Sequence, residues 1–329
     1  MSGRDSALGA LYGLALGDAL GMPTQLMSRQ AIADRYGSLR GFEPADADHP
    51  IAAGMAAASV TDDTEQAFLV ARLLVEGDGH IDGRIFAREL VRWEDRMRAK
   101  GSLDLLGPST KRAVEAVIEG ESVDESGRYG TTNGAAMRVT PVGIAVDSSD
   151  LSDLVDRVEE VSRVSHNTGV AIAAASAVAT VVSAAIDGAG ATNAIGLAVD
   201  AARLGAERGF WVASADVGAR IELARGLVDP ADPDRSLTRI YEAIGTSLAS
   251  QESVPAAFGI LALYPDDPWE ACLAAASLGG DSDTVAAMVG AMSGAIYGVD
   301  AFPAAARRIV SQVNSLDVEH VVDELLALR

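Results

Sequence analysis

The amino-acid sequence predicts an all-α fold, and three observations lead to that prediction. Hydrophobic residues make up 49% of the 329 residues, so a large core can form, but only 5% are aromatic. Alanine and glycine dominate the apolar residues, and alanine has the highest helix propensity. The alternating β-branched and aromatic runs that mark strands are missing almost everywhere. No linker interrupts this pattern, so we expect a single compact helical domain over residues 1–329.

The first half of the chain begins with an apolar segment, residues 6–20, whose apolar positions recur at helical spacing. Gly9, Gly13 and Gly17 lie four residues apart and would let a second helix approach closely. Further helices are predicted over residues 28–36, 67–75, 81–99 and 108–118, with Ser109 or Thr110 as the N-cap of the last. Residues 37–55 form a predicted loop that is long enough to be a lid or a mobile segment.

The second half alternates apolar helical segments with Gly, Pro and Asp signals that end helices. The predicted helices cover residues 151–164, 170–186, 192–208, 217–227, 236–250, 269–278, 285–297, 303–313 and 318–328, with one more starting near residue 253. Residues 170–186 resemble a membrane span, but the run is short and lacks flanking basic residues, so we expect a buried central helix. Cys272 is expected in the core.

Charge and targeting features restrict the function classes. The formal net charge is −21, and only two lysines are present, Lys100 and Lys111. This balance argues against nucleic acid and anionic membranes as partners, because both require basic surfaces. The first ten residues lack the layout of a signal peptide. We therefore expect a soluble cytoplasmic protein.

Two clusters of acids and threonines carry the strongest chemical signal. The first is Thr61-Asp62-Asp63-Thr64 and the second is Asp281-Ser282-Asp283-Thr284, and each runs into an apolar helix. A single acid before a helix is usually an N-cap. Four carboxylates that meet without a nearby cation in sequence would repel one another, so a divalent cation is expected between them. Oxygen ligands favour Mg²⁺, Mn²⁺ or Ca²⁺, and there are enough for two ions.

Two polar stretches are candidates for substrate contacts. Residues 130–134 are rich in glycine and hydroxyl groups, and bare backbone amides in such a loop suit phosphate or sugar oxygens. The candidate residues there are Gly130, Thr132, Asn133 and Gly134. His166 lies in the polar stretch Ser165-His166-Asn167-Thr168 before an apolar helix, and it either makes local hydrogen bonds or lines the pocket. Asp18 lies on an apolar helix, so its carboxylate needs a partner.

These motifs, taken in order, resemble the ADP-ribosylglycohydrolase family. The matching segments are residues 13–21, 61–64, 133–138 and 280–284. The resemblance implies an all-α fold with two Mg²⁺ or Mn²⁺ ions and hydrolysis of the glycosidic bond between ADP-ribose and an acceptor. It also implies that Ser109 and the 130–134 loop contact substrate. The implied metal ligands are Thr61, Asp62, Asp63, Asp281, Asp283 and Thr284.

The chain departs from the family at one position. Many members have a glutamate shortly after the first motif, where this sequence has Gln25. Because an amide cannot act as a carboxylate base, the catalytic role falls to Asp62, Asp63 or Asp283, with Glu65 as a further candidate. Two alternatives stay open. One is hydrolysis of a smaller ribosyl substrate such as a nucleoside, and the other is a non-catalytic protein that binds ADP-ribose or metal.

Overall fold

The computed structural model describes all 329 residues and contains eighteen α-helices. Their bounds are Gly3–Gly21 (α1), Arg29–Tyr36 (α2), Asp62–Glu76 (α3), Gly83–Ala99 (α4), Pro108–Ile118 (α5), Val123–Ser126 (α6), Gly134–Met137 (α7), Thr140–Ala145 (α8), Leu151–His166 (α9), Gly169–Ile186 (α10), Ala191–Ala206 (α11), Val217–Gly226 (α12), Pro233–Arg239 (α13), Ser250–Leu263 (α14), Pro268–Ala276 (α15), Ser282–Tyr297 (α16), Ala304–Asn314 (α17) and Val318–Leu326 (α18). Three isolated β-bridges are the only strand-like pairings. The all-α prediction is confirmed.

Helices α1 and α16 form the most extensive helix pair in the fold. A Cβ atom at Gly13 would lie 2.0 Å from the carbonyl oxygen of Gly290, and one at Gly17 would lie 2.0 Å from that of Ala286. Only residues without a side chain permit this approach, so the glycine spacing serves the helix packing that the sequence predicts. At the end of the pair, a Cβ at Gly21 would lie 2.3 Å from the Cα of Asp283. The packing therefore brings the end of α1 against the second acidic cluster.

Helix α10 is the third central helix, and it contacts both α1 and α16. It is long and apolar enough to cross a membrane, with a mean hydropathy of 2.1, yet 94% of that window is buried inside the fold. The prediction of a buried central helix is confirmed, and the remaining helices pack around this centre.

Two predictions of local structure are wrong. Helix α5 begins at Pro108 with Gly107 as its N-cap, so neither Ser109 nor Thr110 caps it. Proline is favoured in the first turn because it lacks the N–H group that would need a partner, and its ring already fixes a helical φ. Residues 236–250 do not form one helix. A π-helical turn, Ile240–Ile244, follows α13, and Gly245 with a φ of +89° ends it.

The long loop between α2 and α3 contacts the chain at Gln25, shortly after the end of α1. His49 is buried and fixes the loop, because its Nε2 lies 3.0 Å from the carbonyl oxygen of Gln25 and its Nδ1 accepts from the amide of Ala52 at 2.9 Å. Nδ1 can accept only when the proton is on Nε2, so His49 is neutral and donates to Gln25. Burial lowers its pKa, in agreement with this state. The loop thus reaches Gln25 directly.

Candidate active site

The two acidic clusters meet in space although 221 residues separate them. The hydroxyl of Thr284 on α16 donates to Oδ2 of Asp63 on α3 at 3.3 Å. Thr61 is the N-cap of α3, and Asp281 occupies the N-cap position of α16 without a side-chain capping bond. The cap role that single acids usually take therefore does not account for the carboxylates of either cluster.

Asp18 holds the first cluster from behind. Its fully buried carboxylate accepts from the amides of Thr61 and Thr64 at 3.0–3.1 Å and from the Thr61 hydroxyl at 2.8 Å. The hydroxyl of Thr64 donates to it as well. These bonds give Asp18 the partners that the sequence requires of a buried carboxylate, and they fix the backbone that leads into α3.

Each acid of the two clusters keeps at least one oxygen without a hydrogen bond. Asp62 accepts from Gln66 through Oδ2 at 2.8 Å, and Asp281 accepts from Asn133 through Oδ2 at 2.5 Å. Asp63 uses Oδ2 for Thr61 and Thr284, and its buried Oδ1 has no partner. The buried Oδ1 of Asp283 also has none. Buried acceptors without a donor are rare and call for an explanation.

The close approach of these buried acids raises their pKa values. Burial, followed by the charges of neighbouring acids, raises the pKa of Asp62, Asp63 and Asp283 well above the ordinary value. Burial also raises the pKa of Asp18 to about 6 and that of Asp104 to about 7. Burial and like charges both disfavour the ionised form. Without added positive charge, the cluster takes up protons.

A cavity of about 250 Å³ opens above the clusters. Among the residues singled out in the sequence, those that line it are Gln25, Asp62, Thr132, Asn133, Gly134, Asp281, Asp283 and Thr284. The others do not line it and are buried: Thr61, Asp63, Ser109, Gly130 and His166. No lysine or arginine lines it. A cavity of about 370 Å³ beside α2, α13 and α15 contains none of these residues, so its larger size does not make it the reactive site.

Three residues that the sequence did not assign to the site belong to it. Asp104 lines the cavity, is 7% exposed, and accepts from the amide of Asp62 at 3.1 Å. Gln66 connects Asp62 to the fully buried Arg138, whose Nη1 donates to Gln66 Oε1 at 2.9 Å. A basic residue is thus two hydrogen bonds away from the first cluster. Glu65, a candidate for proton transfer, instead accepts from the indole N–H of Trp93.

The glycines of the 130–134 loop serve close packing. A Cβ at Gly130 would lie 2.0 Å from the carbonyl oxygen of Ser165, and one at Gly134 would lie 2.8 Å from Cε1 of His166. Two of the loop amides already have acceptors, since Gly130 donates to Gly127 and Asn133 donates to Leu248. Fewer amides are therefore free for a phosphate than the sequence suggests.

No three Asp, Glu, His or Cys side chains form a ready coordination sphere in the structure. One oxygen of each of Asp62, Asp63 and Asp281 is turned toward a protein donor, as described above. The remaining oxygens, two of them buried and unpartnered, match the oxygen-only donor set of a hard divalent cation. The residues therefore fit such an ion, with rotation of the carboxylates needed to complete its ligand set.

Comparison with known proteins defines the class. The model of the ADP-ribosylglycohydrolase family matches residues 1–329. The chain is 35% identical over 323 residues to the uncharacterized protein YegU of Escherichia coli, covering 98% of this chain and 96% of that protein. It is 27% identical over 329 residues to the ADP-ribosyl-[dinitrogen reductase] glycohydrolase of Rhodospirillum rubrum, covering 99% and 97%. A solved structure, the ADP-ribosylglycohydrolase-related protein complex, superposes with a TM-score of 0.68 at 23% identity over 99% of both chains.

The protein is an all-α hydrolase of glycosyl bonds, and an acidic pocket lies between its α3 and α16 helices. It belongs to the ADP-ribosylglycohydrolase family. Members of that family act on ADP-ribosylated substrates, which agrees with the resemblance seen in the sequence motifs.

Proposed function

We propose that the protein uses divalent metal ions to hydrolyse the glycosidic bond between ADP-ribose and an acceptor. The observation that carries this proposal is the contact between Thr284 and Asp63, which joins the two acidic clusters around unpartnered carboxylate oxygens. No N–H or O–H group of the protein donates a hydrogen bond to those oxygens. Positive charge at this place would satisfy them and would let all four acids ionise.

Two Mg²⁺ or Mn²⁺ ions fit the oxygen donors available. The residues that would hold them are Thr61, Asp62, Asp63, Asp281, Asp283 and Thr284. Divalent cations supply charge stabilisation and orientation of oxygen ligands at such sites. The protein holds these oxygen ligands in place from two sides. Asp18 fixes the first cluster, and the side-chain amide of Asn133 donates hydrogen bonds to Asp281 and Ser253.

Hydrolysis adds water at the anomeric carbon of the ribose and releases the acceptor with a proton. Gln25 has no acidic proton to give and cannot remove one from water. Asp104 is the cavity-lining carboxylate outside the two clusters, so we assign it to the proton transfer together with Asp62 and Asp283. Asp63 is fully buried and does not line the cavity, so it is better placed to hold an ion than to touch substrate.

A pyrophosphate would have to be bound without cationic side chains. The N-terminus of α5 opens on the cavity, because Gly107, Pro108 and Thr110 line it. The free amides and the positive dipole end of a helix favour anions. This location, next to the predicted Ser109, supports an ADP-ribosyl substrate better than the partly occupied amides of the 130–134 loop.

A smaller ribosyl substrate such as a nucleoside is the second candidate function, and Gln25 is the observation that favours it. Gln25 is 3% exposed, lines the cavity, and its amide Nε2 has no hydrogen-bond partner. Leu26, Ile51 and Leu103 line the same cavity. A neutral leaving group that presents an acceptor atom matches this wall, whereas a guanidinium has donors only. The cavity volume also lies below the 300–1,000 Å³ usual for larger ligands.

The test is a hydrolysis assay on ADP-ribosyl-arginine, ADP-ribosyl-serine peptide and a panel of nucleosides, each with Mg²⁺, with Mn²⁺ and with excess EDTA. The proposal predicts release of ADP-ribose that stops in EDTA and returns when metal is added. Release of free base from nucleosides alone selects the second function. Binding of ADP-ribose in a thermal-shift assay without turnover of any substrate would select the non-catalytic alternative. Full activity in EDTA would contradict the role of the metal.

A further inference from the structure

A buried chain of hydrogen bonds links the cation Arg138 to the cavity. Arg138 is fully buried, and its Nη2 donates to the hydroxyl of Ser165. Ser165 Oγ lies 2.8 Å from Nδ1 of His166, and Nε2 of His166 lies 2.9 Å from the hydroxyl of Thr132. Ser165 and His166 are both completely buried, while Thr132 lines the cavity. The last member of the chain is therefore the one that a ligand can touch.

The donors and acceptors of this chain fix the direction of every proton in it. Arginine only donates, so the Ser165 oxygen accepts from Arg138 and has its own proton to give. His166 Nδ1 is the only other partner of that hydroxyl, so Nδ1 accepts and the imidazole proton is on Nε2. The opposite tautomer would leave the buried Ser165 proton without an acceptor, which is costly. Burial and the nearby charge of Arg138 also lower the pKa of His166 well below its ordinary value, as a neutral ring requires.

The consequence appears at Thr132. Its oxygen accepts from Nε2–H of His166 and contacts no other protein acceptor, so its own proton is available to a ligand in the cavity that Thr132 lines. We propose that Ser165 and His166 are positioning residues, fixed by Arg138, that make the Thr132 hydroxyl a hydrogen-bond donor to the ligand. Thr132 is then a specificity residue that selects an acceptor oxygen on the ligand. Such an oxygen belongs either to a phosphoryl group or to the sugar.

The other terminal nitrogen of Arg138, Nη1, connects the hydrogen-bond chain to the acidic side of the cavity. Nη1 donates to Gln66, and Gln66 donates to Asp62 at 2.8 Å, so one buried guanidinium orients groups on both walls. The aromatic ring of Phe86 lies 4.9 Å from the guanidinium carbon and shields it from water. Arginine suits this position because its planar fork holds two partners at fixed angles, which a lysine cannot do.

The first experiment measures the tautomer of His166 without any ligand. The protein has only four histidines, so its ¹⁵N-histidine spectrum is simple. The signals of His166 are assigned as those that disappear in a His166→Asn variant. We expect the neutral Nε2–H tautomer in the unmodified protein and a mixture of tautomers in Ser165→Ala. Arg138→Met should give the same mixture of tautomers. If the Arg138→Met protein does not fold, the spectrum of Ser165→Ala alone tests the assignment. A protonated ring or the Nδ1–H tautomer in the unmodified protein would overturn the inference.

The second experiment measures binding of ADP-ribose and of ribose by calorimetry, and this part rests on the proposed function. Thr132→Val should weaken binding about tenfold, the loss expected for one hydrogen bond, and Thr132→Ser should restore it. A loss for ADP-ribose alone identifies a phosphoryl oxygen, and a loss for both ligands identifies a sugar oxygen. Unchanged affinity for both ligands in Thr132→Val would overturn the donor role. Failure of the proposed function leaves the tautomer result standing, so the two failures are distinguishable.

A double substitution separates positioning from simple contact. Ser165→Ala should also weaken binding about tenfold, and the Ser165→Ala/Thr132→Val protein should lose no more than either single variant, since both act through the same proton. A combined loss of about a hundredfold would mean that the two residues act independently, contrary to the inference. Ser162→Ala is the matched control. Ser162 is buried on the same helix, and its hydroxyl donates only to the carbonyl of Val158 at 2.7 Å.

Discussion

The two acidic clusters have similar sequences but are supported in different ways. The first cluster is fixed by a side chain, because the carboxylate of Asp18 binds the amides and hydroxyls of Thr61 and Thr64. The second cluster is fixed by backbone. Gly279 and Gly280 have φ angles of +88° and +80°, and Gly280 exchanges hydrogen bonds with Leu26 and Met27 at 2.7 and 2.9 Å.

Two acid–threonine clusters of similar sequence therefore do not require similar supports. One cluster depends on a buried charge with four donors, and the other depends on a backbone conformation that residues other than glycine rarely adopt. The amide of Asp281 also donates to the carbonyl of Thr246 at 2.8 Å, which ties the second cluster to the loop before α14. Substitutions at the two supports should therefore change different properties of the protein, whereas substitutions of the acids in either cluster should cause the same loss of activity.

The largest effect is expected when an acid of either cluster is removed. Asp62→Ala and Asp283→Ala should each abolish metal-dependent hydrolysis, because each removes a ligand from the proposed shared metal site. The circular dichroism of the helices should stay nearly intact. Asp300→Ala is a suitable control, since that side chain is 90% exposed. Retained activity in one of the two variants would show that its cluster is not part of the site.

A smaller effect is expected when the side-chain support is altered. Asp18→Asn replaces an acceptor of four donors by an amide whose NH₂ group must face some of them. The affinity for Mn²⁺, measured by calorimetry, should fall about 10–100-fold, the usual cost of losing a group that orients metal ligands. Unchanged affinity would mean that Asp18 supports only the fold.

The pH dependence of stability should distinguish the supports. The pKa of Asp18 is about 6 in the folded protein, and that of an unfolded aspartate is about 4. The folded state therefore holds more protons between these values, and the free energy of unfolding of the metal-free protein should fall as pH rises through this range. A shift of two pKa units corresponds to about 3 kcal/mol. Urea denaturation at about pH 3.5 and about pH 7.5, on either side of this interval, measures the difference.

Asp18→Asn should reduce that pH dependence, while Gly280→Ala should lower stability equally at both pH values. A metal-free protein that is more stable at the higher pH would contradict the account. Added Mn²⁺ should remove most of the loss, since a bound cation lets the acids ionise.

The smallest effect is expected at the backbone support. Gly280→Ala places a Cβ atom 2.4 Å from the carbonyl oxygen of Thr246 at a positive φ, so the free energy of unfolding should fall by about 1–3 kcal/mol. Gly188→Ala is the matched control, because Gly188 has a φ of +90° and nothing within 4 Å of the Cβ position. Equal losses in the two variants would show that the contact with Thr246 adds nothing to the backbone strain.

Much of this arrangement could be predicted from the sequence. The spacing of Gly9, Gly13 and Gly17 predicted close helix packing, and the two acid–threonine clusters predicted a shared site, because both signals are local patterns with one physical cause. The end of α13 could not be predicted in the same way. Residues 236–250 have helical composition, and the π turn that ends at Gly245 depends on packing of that segment against α12 and α14.

The residues missed at the site share one property, since their partners are distant in the chain. Asp104 meets the amide of Asp62 across 42 positions, and Gln66 meets Arg138 across 72. Asp104 lies between leucines in a segment without regular secondary structure, so only the tertiary fold reveals its role. Arg138 belongs to a recognisable motif, but its burial and its two arms are properties of the folded chain.

The most direct test of a shared metal site is calorimetric titration of the metal-free protein with Mn²⁺. We expect two bound ions in the unmodified protein, and we expect Asp62→Ala and Asp283→Ala, one from each cluster, both to lose tight binding. The Asp62→Ala/Asp283→Ala protein should lose little more than either single variant. Two ions bound with unchanged affinity in either single variant, or no ion bound by the unmodified protein, would contradict the central claim.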